Sequence, residues 1–181
     1  MRSGILATAA LGLLAATVVG CWSEGASAQS APSAHDIPQS FRVAHQDTLA
    51  ELTAIGKRRT QTGLIARQAI SAVKRHFDRE EEYILPPLTL APAIALGKVT
   101  PEMKWAVAMA DRIKADRETI FVEHTVITGW MNELAAAAEK AHEADVTAFA
   151  RAAVADSLND TEVNEPMAIV IGDYIRAKLG P

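Results

Sequence analysis

The sequence predicts an all-α protein, an up-down-up-down four-helix bundle behind an N-terminal leader. Three observations carry this. Hydrophobic residues make up 49% of the chain and aromatics only 5%, and alanine is abundant, a mix that fills helices better than sheets. Four long stretches are separated by Gly and Pro punctuation. Each stretch carries apolar residues spaced alternately by three and four, with no strand-like alternation and no internal repeat.

The leader comes first. Residues 1–28 read as a secretory signal: Arg2 gives a short positive start, Ile5 to Val19 is apolar, and Ala26-Ser27-Ala28 offers a cleavage site before Gln29. A second reading stands beside it. Val18-Val19-Gly20-Cys21 resembles a bacterial lipobox, in which Cys21 is lipidated. Either reading expects an extracytoplasmic protein, periplasmic or secreted, with membrane contact only through a lipid on Cys21. The apolar run is short for a bilayer span. Cys21 is the single cysteine, so no internal disulfide supports the fold. Residues 29–37 are small and polar and read as a flexible linker with a solvated His35.

The first helix is expected from about Pro38 to Ile55, opened by Pro38 and stopped by Gly56. The second runs from about Thr60 to Leu85 and ends at Pro86-Pro87. Residues 88–99 contain Pro92 and Gly97 and form a connection with room for a short helical turn. Thr100 followed by Pro101 opens the third helix, which reaches about Lys140. The fourth runs from about Glu143 to Leu179. Short connections within the first and last pairs make their members antiparallel neighbours.

The net charge is −4, and the only basic run is Lys57-Arg58-Arg59, beside Gly56, where a helix C-terminus welcomes cations. A nucleic-acid surface is excluded on that ground. No nucleophile motif or cofactor loop supports an enzyme.

The inward seams carry the chemistry. They read Phe41, His45, Thr48, Leu52, Ile55 on the first helix and Ile65, Ala69, Val73, His76, Glu80, Tyr83 on the second. The third gives Ile113, Arg117, Ile120, His124, Ile127, Met131, Leu134, and the fourth Phe149, Ala153, Asp156, Asp160, Val163, Met167, Val170. Every seam is mostly apolar, and each is interrupted by groups that ligate metals. Burying such groups costs several kcal/mol unless something satisfies them. Imidazole with carboxylate suits iron, manganese or zinc. His76 and Glu80 are four apart and share one helix face, and Asp156 and Asp160 repeat that spacing. About the third turn, His124 stands 17 residues before Ala141 and Asp156 15 after it, nearly level. About the first, His45 and His76 stand 13 and 18 residues from Arg58, a mismatch of roughly 7 Å.

The segment from His76 to Pro86, HFDREEEYILP, resembles the HxxxE-E…P signature of hemerythrin-like (HHE) cation-binding domains. Glu123-His124 resembles that family's third-helix motif, and Val170 to Arg176 its C-terminal tail. The resemblance covers about residues 38–179. It implies a four-helix bundle with a non-haem di-iron centre that binds oxygen, senses oxygen, nitric oxide or redox state, or handles iron. It implies ligand roles for His45, His76 and His124 and a bridging role for Glu80. On the fourth helix the family carries a second HxxxE, and counting back from Pro166 lands on Asp156 and Asp160 instead. The first half-site is intact and the second is rebuilt with carboxylates, which favours harder ions. The alternative is a metal-free bundle serving as an interaction or scaffold module. A di-iron-type oxidase ranks third.

Blander readings cover the rest. His142 is a solvated cap residue in the third turn. Glu81 and Glu82 read as a solvated face in preference to partners of the ligands. Met103, Met109, Met131 and Met167 fill the core, and Trp105 and Trp130 pack.

Overall fold

A computed structural model describes residues 35–180. The signal, the lipobox ending at Cys21 and linker residues 29–34 lie outside them. The described residues are helical, with no strand among them. No helix among them is long and apolar enough to cross a membrane. The main elements are α1 (Gln39–Gly56), α2 (Gln61–Arg79), α3 (Ala91–Ala95), α4 (Trp105–Ala141), α5 (Ala144–Asn159) and α6 (Glu165–Leu179). α1 packs on α2, α2 on α4, and α4 on both α5 and α6.

The boundaries follow local chemistry. Pro38 precedes α1 with extended backbone. The Thr60 hydroxyl accepts from the Gly63 amide at 3.2 Å and caps α2. Gly63 is required there, because a Cβ would stand 2.1 Å from the Arg58 carbonyl oxygen. The connection after α2 holds a 3₁₀ turn (Pro86–Leu90) and the short α3. α4 ends on His142, whose left-handed backbone (φ 60°) closes the helix, so its cap role is met. The turn around Arg58 is tied to the start of α5. Arg58 donates to Glu143 at 3.1 Å and to Asp145 at 3.2 Å, and the Thr62 hydroxyl donates to Glu143 at 3.0 Å. The linker's end is also held: Ile37 is buried, and His35, expected in solvent, stacks on Trp105 at 3.9 Å.

Two helices carry an interruption that positions everything below. The expected second helix continues past Arg79 as a π-helical turn, Glu80–Ile84, where the Leu85 amide donates to the Glu80 carbonyl at 2.8 Å. The expected fourth helix is split by a second one, Asp160–Asn164, between α5 and α6. Each turn opens on a carboxylate and each is followed by proline, at Pro86 and Pro166. Proline has no amide to give, and its ring crowds the carbonyl four residues back, here Glu82 and Glu162. The wider turn relieves that crowding.

The core divides along the helices. Leu52, Ile55, Ile65, Ala69 and Val73 meet Ile127, Met131, Leu134, Val146 and Ala150 on one side. Tyr83, Ile84, Ile113, Ile120 and Ala168 form a second cluster. The band between them holds the polar residues His76, Glu80, His124, Ser157 and Glu165, all buried. The seams expected on the first two helices are buried or half-buried throughout. Arg117 on the third is exposed. On the last helix the expected seam drifts outward: Val163, Met167 and Val170 are exposed, and Ser157, Glu165, Ala168, Ile171 and Ile175 face the core instead. The expected seam is already one residue off on α5, where Asp156 is exposed and Ser157 buried, and the π turn then adds a residue and shifts the register again past Asp160.

Candidate metal centre

Glu80 is the centre of the polar band. Its side chain is 1% exposed. One carboxylate oxygen lies 3.2 Å from His45 Nε2 and the other 3.3 Å from His76 Nε2. Neither oxygen accepts a well-formed hydrogen bond. A buried carboxylate needs compensation; here only the two imidazoles face it, and a cation shared with them could take the place of their protons. His76, Glu80 and His124 each offer one ligand atom within 4.8 Å of the others. The His76 and His124 rings meet edge to face at 4.3 Å.

The histidines share one orientation. The Nδ1 of His45 lies 2.9 Å from Glu81 Oε1. The Nδ1 of His76 lies 3.4 Å from Glu123 Oε2, and that of His124 lies 2.8 Å from Ser157 Oγ. In each case Nδ1 is held by an outer partner and Nε2 faces an inner carboxylate. A proton kept on Nδ1 leaves the Nε2 lone pair free to ligate, the arrangement metal-binding histidines use. Arg79 fixes Glu123 with two bonds, Nε to Oε2 at 2.9 Å and Nη2 to Oε1 at 3.0 Å. Arg79 also donates to the Tyr83 hydroxyl at 3.2 Å, and that hydroxyl donates to Asp116 at 2.8 Å. His45 is further set by stacking on Phe77 at 3.8 Å. It reaches Glu80 despite the mismatch in height counted from the turn, a count that treats the helices as straight rods starting level.

Charge follows the same geometry. Burial disfavours charge on His76, but Glu80 and Glu123 outweigh it and push its pKa up to about 10. His45 is also raised, by Glu80 and Glu81 against its burial. Burial would raise Glu80, yet His76 and His45 hold it down at about 2. Without a cation, protons on these imidazoles balance the carboxylate.

Of the six residues expected to ligate, the structure brings His45, His76, Glu80 and His124 together. Asp160 is half-buried, and Asp156 is exposed. Both line a cleft beside His76, outside the three-residue cluster. Burial and the charge of Glu80 push Asp160 up to about 6, partly offset by a bond from Asn164 at 2.6 Å.

Three partners were missed. Glu165 Oε1 lies 2.6 Å from His124 Nε2 and is buried. Glu81, expected to face solvent, holds His45. Glu123, named only as part of a motif, holds His76. The signal for Glu165 was present in the chain: it precedes Pro166 and stands five residues after Asp160, the spacing a π turn brings onto one face. Glu82 pairs with Arg112 at 2.6 Å. Met131 is buried and Met103 and Met109 are half-buried, but Met167 is exposed and is not core filler.

Compared with family models, curated proteins and solved structures, the chain has no match.

Proposed function

We propose that this chain is an exported, hemerythrin-like four-helix bundle of up-down-up-down topology that binds non-haem iron, and through it binds or senses oxygen or redox state or handles iron. The observation that carries this is Glu80, a fully buried carboxylate without hydrogen bonds, faced by the Nε2 atoms of His45 and His76. His45, His76, Glu80 and His124 would hold the metal, with Glu165 as a further carboxylate beside His124. Nitrogen and oxygen donors in this ratio suit iron, and manganese or zinc fit the same set. A bound iron would supply a redox-active centre able to take a small diatomic ligand. The chain's own part is to hold imidazole tautomers, exclude water and fix the carboxylates. The motif from His76 to Pro86 supports the family reading, and residues 1–28 support export.

The test is elemental analysis and the visible spectrum of the purified mature protein after loading with ferrous iron. At least one iron per chain is expected. Substoichiometric metal after loading with iron, manganese and zinc sinks the proposal.

One observation favours a second reading, a metal-free bundle acting as an interaction module. Both ring nitrogens of His124 already have protein partners, Ser157 and Glu165. On that reading His76→Ala changes neither metal content nor partner binding.

A further inference from the structure

The cleft beside the candidate centre mixes polar and apolar side chains. Asp156, Ser157 and Asp160 of the α5 region and His76 of α2 line it together with apolar neighbours such as Phe77 and Met131. Its interior holds about 40 Å³, room for a small ion with one or two waters. Its acidic groups are graded in depth. Asp156 is exposed, Asp160 is half-buried one helical turn further along, and Glu80 is fully buried behind His76. His76 lines the inner end and lies 3.3 Å from Glu80. The acidic pair alone would be a solvated face. Glu80 gives it a destination, because its two buried oxygens have no hydrogen-bond partner.

We propose that Asp156 and Asp160 form the loading path by which a divalent cation reaches Glu80 and its histidines, docking first at the cleft mouth, and that they are not part of the final ligand set. The inference rests on the metal-binding reading above. Asp156 captures the hydrated ion where water is plentiful. Asp160 takes it inward as water is shed, over a distance one helical turn can bridge. The imidazoles and Glu80 then replace the remaining water. Carboxylates lining a cleft raise the local cation concentration and the association rate, and salt weakens that effect.

The test is stopped-flow loading of the full mature chain with cobalt(II), read by its visible absorption, with the equilibrium stoichiometry measured on the same samples. Asp156→Asn and Asp160→Asn are compared with wild type at low and high salt. Each variant is expected to slow loading by about threefold to tenfold and leave the stoichiometry unchanged. High salt is expected to slow wild type and to erase the gap between wild type and Asp156→Asn. Unchanged loading rates in both variants overturn the loading path while leaving the metal site standing. So does lost stoichiometry, which would make the aspartates ligands. A wild-type chain that binds no cobalt overturns the metal site itself and the path with it.

Discussion

The Nε2 of His124 lies 2.6 Å from the Oε1 of Glu165, and both side chains are buried. This pair joins the middle of α4 to the first residue of α6, across the second π turn. Truncating one member of such a pair strands the other without its partner. Glu165→Ala is expected to cost about 3 kcal/mol, and Glu165→Gln clearly less, because the amide keeps a polar atom in place. Urea unfolding of the metal-free protein checks this through the shift in midpoint at constant slope. Equal midpoints for wild type and Glu165→Ala would contradict the pairing.

The same pair marks where the sequence stopped being legible. The inward seams of the first two helices were legible, since Ile65, Val73, His76, Glu80 and Tyr83 keep a regular inward spacing, while the π turn at Glu80–Ile84 was not. On the last helix the expected seam was already one residue off at Asp156, which is exposed while Ser157 is buried. A three-four count carried past Asp160 assigns Val163, Met167 and Val170 to the core, and they are exposed. The proline six residues after each leading carboxylate, Glu80 to Pro86 and Asp160 to Pro166, holds the missing information, because it widens the turn before it. The outer partners Glu81 and Glu123 were illegible for another reason. Their neighbours in space come from α1 and α2, and acidic residues on a helix surface have no signature that separates a solvated face from a histidine's partner.

Arg79 acts on the site through Glu123. With Arg79→Ala, Glu123 loses both of its bonds to the guanidinium and His76 loses its fixed outer partner. Metal affinity is expected to fall about 10- to 100-fold, with Arg79→Lys intermediate because lysine cannot make the paired contact. Competition against a chelator of known affinity measures it. Unchanged affinity in Arg79→Ala would remove Glu123 and Arg79 from the site's support.

Loading should release protons. In the metal-free protein Glu80 and Glu123 hold His76 protonated up to about pH 10. That imidazolium contributes stability fully below its ordinary value of 6.5, and the contribution is lost as pH rises through about 10. Glu80 works in the opposite sense: its contribution is present above 4.5 and lost as pH falls through about 2. A ligating imidazole must be neutral. At pH 7 each ion bound is therefore expected to release about one proton or more, and affinity should rise with pH. Calorimetric titration in buffers of different ionisation enthalpy gives the number. A value of zero contradicts ligation by His76.

Close packing of α4 on α6 depends on Gly172. A Cβ there would stand 2.4 Å from the Ala110 Cβ and 2.8 Å from the Ala106 carbonyl oxygen. Gly172→Ala is expected to destabilise the protein by about 1–3 kcal/mol, because two helices must part to admit it. Thermal unfolding checks this, and a stabilised variant would show that the helices are not so close.

Whether Glu80 is buried to hold a cation is read from the ferrous iron bound per chain in wild type and in Glu80→Gln. The amide keeps the shape of the side chain and removes the charge. At least one iron is expected in wild type and its loss in the variant, with the metal-free fold intact by circular dichroism. Equal iron content in the two proteins, or none in wild type, would contradict it.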